Sequence, residues 1–249
     1  MRRDEGEAPR RLRRAEAVLK RRTSRLVLVC ENCFDEHNIA AILRTAEAFG
    51  VQHVYLIREE KKDNSQESAV SLGAEYWINI HEFENTANCI ESLENDGFDI
   101  WATDLNPGAV ELCNQNALKV PKKIALVVGR EADGISKKMR NAAKKLVFIP
   151  MRGFTESFNL SVATGLVLQY IFSADPSLIG GISEYEKKQI RTDWYQKLGG
   201  PGWKTEYKEW LSKPPKPLET VRPTLSSRKP RMTKKLANRL NININSDTK

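Results

Sequence analysis

Long apolar runs are missing from this 249-residue chain, and no stretch approaches the length of a membrane span. The first residues lack the apolar core of a secretory signal. Their arginines suit a transit peptide, but Asp4, Glu5, Glu7 and Glu16 argue against one. A cytoplasmic protein with no membrane partner is the expectation. Cysteine is scarce: Cys30, Cys33, Cys89 and Cys113 are the four. Cys30 and Cys33 form a lone CxxC, and no second pair or HxxxH supplies the remaining ligands of a zinc site. Cys30 also falls in an apolar strand run, where a thioredoxin-like pair would open a helix. These read as ordinary reduced thiols, with no metal. The three histidines, His37, His53 and His81, make no triad or metal pattern. No GxGxxG follows the first strand, which argues against a dinucleotide-dependent oxidoreductase. There is no internal repeat.

What the chain does have is a core and two basic ends. Hydrophobic residues make up 40%, enough to bury a sizeable interior. Residues 1–25 hold ten Lys/Arg against four Asp/Glu, and residues 213–249 hold ten against two. The total is only +8, so the body between them is net acidic. A polyanion would meet the ends first, which suits nucleic acid. The competing reading is that the tails only solubilise.

The middle alternates strand and helix, which predicts a mostly parallel sheet. Apolar runs place strands at 26–30, 51–57, 76–80, 98–103, 124–128 and 146–149. Helical spacing predicts helices at 39–49 with Gly50 as C-cap, at 81–94 before Asp96-Gly97, and at 157–172. Residues 58–68 read as a mobile loop and 69–73 as a helical turn, while 109–116 stays ambiguous. Outside this body, residues 1–9 look disordered and 10–22 can form a helix with Leu12, Ala15, Val18 and Leu19 on one face. That helix is either docked by its leucines or turned to RNA. Ser183 can cap a helix to about Leu198 with Glu186 at its third position. A short helix follows at 203–211, then the proline-rich linker 213–217 and a basic segment at 228–239 that folds only on a partner.

Two apolar runs, Ile124–Val128 and Leu146–Ile149, end in polar loops, and the second loop leads into a helix. Ligands bind at such strand ends in open α/β sheets, where helix N-termini and turns leave N–H donors unpaired. The loop residues here read GREADGIS and IPMRGFTESFNLSVATGLVL, and an earlier stretch reads HNIAAILRTAEAFGV. In this order and spacing the three resemble the motifs of the SPOUT RNA 2'-O-ribose methyltransferases of the TrmH type, over roughly residues 25 to 174.

The resemblance implies an α/β fold with a mostly parallel six-stranded sheet, a C-terminal trefoil knot and a homodimer. It implies a methyltransferase domain at 25–174 between a basic N-terminal extension, 1–24, and a helical, basic C-terminal extension, 175–249. The reaction would move a methyl group from S-adenosyl-L-methionine to a ribose 2'-hydroxyl of tRNA, with the D-loop guanosine at tRNA position 18 as the expected target. Alternatives are an enzyme for ribosomal RNA or a noncatalytic RNA-binding relative. A ribosomal-RNA enzyme often carries a separate N-terminal domain, for which about 25 residues are too few.

By resemblance, Arg44, Asn38, Glu131, Ser157 and Asn159 are the catalytic set, and Thr103, Gly129, Ile149 and Phe158 line the cofactor site. Phe158 stands where the family has leucine. Taken alone, these positions also read as turn, core, cap or surface residues; Ser157 and Asn159 in particular are good N-caps. The family mechanism has been framed with the arginine as base. A guanidinium does not readily release its proton, so a bidentate clamp on the phosphate beside the target ribose is the physically easier role for Arg44.

Overall fold

The computed structural model describes residues 8–59, 73–112 and 118–221. All but the last residue of the expected helical turn at 69–73, the basic segment 228–239, Cys113 and most of the 58–68 loop lie outside the described residues. Among the described residues seven parallel strands form one sheet in the order β3-β2-β1-β6-β4-β7-β5. They are β1 Thr23–Glu31, β2 Val51–Ile57, β3 Asn79–Phe83, β4 Asp99–Thr103, β5 Val110–Glu111, β6 Ile124–Val128 and β7 Lys145–Phe148. The expected count of six is corrected by β5, two residues from the ambiguous stretch at 109–116 that pair with Val147 and Phe148. The third strand also shifts: Ala74–Trp77 is a turn of 3-10 helix, and the strand runs on to Phe83.

β1 and β6 lie inside the sheet and are apolar on both faces, as a covered parallel sheet requires. Leu26, Leu28 and Leu126 pack under α2 (Glu36–Phe49) and α5 (Leu160–Ala174). There Phe49 stacks on Phe172 with ring centres 5.7 Å apart. Val27, Val29 and Val127 face α3 (Thr86–Asn95) and α4 (Lys137–Ala142) through Cys89, Leu93 and Met139. Burial, with Glu31 nearby, pushes the Cys89 thiol up to about 12, and Cys30, Cys33 and Cys89 are free and buried. Gly50 ends α2 in the left-handed conformation (φ 83°) that its role as C-cap demands.

A third cluster joins the two ends of the chain. Leu12 and Leu19 of α1 (Arg10–Leu19) pack with Ile190, Trp194 and Tyr195 of α6 (Glu184–Gly199) and with Tyr207 of α7 (Trp203–Ser212). Glu16 is buried here and accepts from Arg191 Nε (2.6 Å) and Nη2 (2.9 Å) and from the Tyr195 hydroxyl (2.9 Å). The leucines of α1 therefore dock the helix, and its arms Arg10, Arg11 and Arg14, with Arg21 just beyond its end, stay exposed. Ser183 caps α6 as expected, accepting from Glu186 N at 3.2 Å. Among the described residues no helix is long and apolar enough to cross a membrane.

α6 is also tied to the sheet edge through a chain of side chains. His81 Nε2 lies 3.1 Å from His53 Nδ1, and His53 Nε2 lies 2.7 Å from Glu186 Oε1. Burial, then the neighbouring His53, holds His81 below its ordinary value, so the folded state keeps it neutral longer than the unfolded chain does. Burial pushes Glu186 up, but its hydrogen bonds from His53 and Ser24 outweigh that and hold it low. Stability due to His81 is thus full above its ordinary 6.5 and is lost as pH falls from there to its depressed folded value. The loss due to Glu186 begins only below its ordinary 4.5. Thermal melts should therefore show Tm falling from pH 7 toward pH 5, and His81→Gln should flatten that slope. An unchanged slope in the variant would remove His81 from the explanation.

Candidate active site

The site is built where β1, β6, β4 and β7 end. β6 is fully buried and stops at Gly129, where the chain folds back on itself. Arg130 N donates to Gly134 O (2.9 Å) and Gly134 N to Arg130 O (3.0 Å). This return runs so close that a Cβ at Gly129 would sit 2.2 Å from the Gly134 carbonyl carbon. The Gly129 carbonyl accepts from the Cys33 thiol at 3.3 Å. At the far end, buried Glu31 accepts from Ser136 N (2.8 Å), Ser136 Oγ (2.6 Å) and Thr86 Oγ1 (2.8 Å). Ser136 in turn caps α4. The loop 129–136 is fixed at both ends and presents Glu131 at its tip.

Glu131 Oε1 accepts from Asn38 Nδ2, and Asn38 Oδ1 accepts from Asn159 Nδ2 at 3.0 Å. Asn38 lies in the first turn of α2, where Asp35 caps the helix by accepting from His37 N and Asn38 N. Asn159 is the N-cap of α5; its Oδ1 accepts from Ser161 N (3.0 Å) and Val162 N (3.4 Å). Three of the five expected catalytic residues, far apart in sequence, thus form one polar chain across a loop and two helix N-termini. The helix begins at Leu160 rather than at Ser157, so Asn159 is the cap and Ser157 stands before it on an exposed loop. Arg44 lies six residues beyond Asn38, about 9 Å along the α2 axis. It is exposed and pairs with no described residue.

Beside this chain opens a cleft of about 360 Å³. Thr103, Ile149 and Phe158 line it together with Glu131 and Ser157. The Thr103 hydroxyl donates to Val127 O at 3.3 Å, so it secures the strand end. Gly129 is not in the wall; it sets the fold of the loop that is. Asn38, Asn159 and Arg44 likewise stand outside the lining.

Asp104, a cleft residue given no role on sequence grounds, follows β4 directly. Burial pushes its carboxyl up, but hydrogen bonds from Arg140 (2.5 Å) and Asn106 outweigh that and hold it low. Its place one residue beyond a buried strand was the signal available. Glu156 and Asp133 add further carboxylates to a cleft whose inner wall includes Leu160 and Val167.

Apolar walls with main-chain edges suit an adenine ring, and the carboxylates suit a cation such as a sulfonium with its α-amino group. S-adenosylmethionine would therefore lie against Ile149, Phe158 and the 129–134 loop. Bound there, it supplies an electrophilic methyl group. The chain's own part would then be to orient an accepting atom, exclude water and stabilise the charge that grows on it.

Known proteins resemble this chain in sequence and fold. Residues 25–169 match the model of the SpoU rRNA Methylase family. A tRNA (guanosine(18)-2'-O)-methyltransferase of Borreliella burgdorferi is 36% identical over 187 residues, 74% of this chain and 84% of that protein. The crystal structure of the TrmH/SpoU tRNA modifying enzyme of A. aeolicus superposes with a TM-score of 0.64 at 32% identity, over 74% of this chain and 94% of that one. An AdoMet-bound rRNA methyltransferase from Sinorhizobium meliloti gives a TM-score of 0.54 at 26% identity, over 68% and 62%.

Proposed function

Because the chain belongs to the SpoU rRNA Methylase family, an enzyme family that uses S-adenosylmethionine, we propose that it methylates the ribose 2'-hydroxyl of guanosine 18 in the tRNA D loop. The observation that carries this reading is the Glu131–Asn38–Asn159 chain beside the acidic-rimmed cleft. It is supported by the Borreliella burgdorferi relative, whose name states that reaction. In this reading Thr103, Gly129, Ile149 and Phe158 shape the cofactor site. Asn38, Glu131, Ser157 and Asn159 set the geometry at the accepting hydroxyl, and Arg44 clamps the adjoining phosphate.

The same reading includes a second copy of the chain and a knot. Phe154, Phe158, Val162 and Leu166 form an exposed apolar stripe on α5 and the loop before it, with Phe154 fully solvent-facing at 109%. A homodimer partner would cover it. β7 enters the sheet between β4 and β5, both earlier in the chain, and in this reading the third motif after it threads through a loop to form the C-terminal trefoil knot. The proposed division is a methyltransferase domain at 25–174 with extensions at 1–24 and 175–249. A cytoplasmic home goes with a tRNA substrate.

The test is transfer of labelled methyl groups to bulk tRNA and to bulk ribosomal RNA, with the nucleoside identified by mass spectrometry. 2'-O-methylguanosine in tRNA is expected; label confined to ribosomal RNA would select the alternative target. The arms of α1 are expected to contribute to RNA binding. Deleting the helix would remove buried Leu12, Glu16 and Leu19 with it, so substitution is the cleaner probe. Changing Arg10, Arg11, Arg14 and Arg21 together to Gln should weaken tRNA binding and lower the slope of log K against log salt by up to about 4 if each arm meets a phosphate. An unchanged slope would take α1 out of the interface.

A further inference from the structure

We propose that the cleft between α1 and α6 is a recognition site for one unstacked guanine base of the RNA, distinct from the nucleotide that is methylated; this rests on the reading that the substrate is RNA. The cleft measures about 270 Å³ and sits apart from the cofactor cleft, with no lining residue in common. Val18, Trp77, Trp194 and Leu198 give it apolar walls, and Arg11 and Arg14 stand at its mouth. Trp77 meets Trp194 edge-on at 5.8 Å and 89°.

Beneath lies Arg22, fully buried. It donates to Val51 O (3.1 Å) and Glu47 Oε1 (2.7 Å), with its guanidinium 5.3 Å over the Trp194 ring. Its Nε is buried without a hydrogen-bond partner, an unusual state for a charged group. Glu47 lines the same cleft with its side chain 31% exposed, and only its Oε1 is engaged.

These features define a ligand. Apolar walls and a carboxylate reject a phosphate from the interior, while the two arginines at the mouth attract a phosphate backbone. Half-buried Trp77 is the aromatic that can take a flat ring, as single-stranded nucleic-acid sites do, with buried Trp194 behind it. A carboxylate accepts only, so it selects a ring edge with adjacent N–H donors. Among the four bases, guanine alone offers two such donors side by side on its Watson–Crick edge, N1–H and the N2 amine. The same edge carries O6, an acceptor for a donor such as Arg22 Nε. Glu47 is three residues after Arg44, so both stand on one face of α2 a turn apart. A strand clamped at Arg44 therefore passes the cleft within about one nucleotide.

The experiment measures binding by filter retention of a tRNA transcript in which inosine, which lacks the N2 amine, replaces the D-loop guanosines one at a time. At one position wild-type protein should bind about tenfold more weakly, the scale of one lost specific base contact. Glu47→Gln, which keeps an acceptor for Arg22, should bind the guanosine and inosine transcripts alike. Trp77→Leu should weaken both and leave S-adenosylmethionine affinity unchanged. Equal wild-type binding of every inosine transcript, or full discrimination by Glu47→Gln, would overturn the proposal. Binding is read without turnover, so failure of methyl transfer to tRNA would count against the proposed reaction and not against this site.

Discussion

Arg44→Ala should lower methyl transfer about 10²-fold, the scale of misplacing a substrate that a clamp holds in position, with S-adenosylmethionine affinity unchanged. The reasoning starts from position. Arg44 projects into solvent from a helix whose other face is packed on α5, and it pairs with no described residue. It lies outside both the cofactor cleft and the Glu131–Asn38–Asn159 chain. A cation so placed does not support the fold, so the variant should melt like the parent. Arg44→Lys separates the roles. A lysine keeps the charge but not the planar fork that holds a phosphate at two points. Loss of turnover in the lysine variant supports the clamp. Retained turnover with only weakened RNA binding would count against any special part for the guanidinium.

Gly129→Ala should weaken S-adenosylmethionine binding by about one to two orders of magnitude, from about 1–3 kcal/mol of overpacking at 1.4 kcal/mol per decade. The added methyl would lie 2.2 Å from the Gly134 carbonyl carbon and 2.5 Å from Ile135 N. Both are backbone and cannot swing aside. The loop must open, and with it go the reciprocal bonds between Arg130 and Gly134 and the placing of Glu131. Two other glycines serve as controls. Gly134→Ala meets nothing within 4 Å, but its φ of +68° is unfavourable to a side chain, so its effect should be smaller. Gly153→Ala also meets nothing within 4 Å and has no such φ, and it should bind the cofactor as the parent does. Calorimetric titration with S-adenosylmethionine ranks the three. Gly129→Ala binding as tightly as Gly153→Ala would show that the loop does not form the cofactor wall.

The features legible in the sequence were those set by local physics. Runs such as 124–128 read as strands because five apolar residues in a row, bounded by polar loops, are too short for a buried helix and suit a parallel sheet covered on both faces. Gly50 and Ser183 announced their caps by residue type. The third strand was misplaced because Tyr76-Trp77 looks like strand. Trp77 instead packs against Trp194, more than a hundred residues on, and a 3-10 turn delivers it there. β5 has two residues and no pattern to read.

Buried charge was the least visible feature. Glu31 at a strand end reads as the start of a loop, yet it holds the first residue of α3 and the cap of α4. Glu16 reads as one more surface residue of a charged helix, and only Arg191 and Tyr195 explain its burial. In the site, Asn38, Glu131 and Asn159 were named by resemblance. That they touch is a fact of the fold, because 93 and 121 residues separate the bonded pairs. Asp104 was passed over because its partner Arg140 sits on another element.

The central claim is that the enzyme methylates one ribose hydroxyl of tRNA. Two transcripts test it most directly, identical except that one carries 2'-deoxyguanosine at position 18. The account predicts one methyl group incorporated per ordinary transcript and none into the deoxy transcript, with both bound equally well. Equal labelling of the two would place the reaction at another nucleotide or another atom and would contradict it.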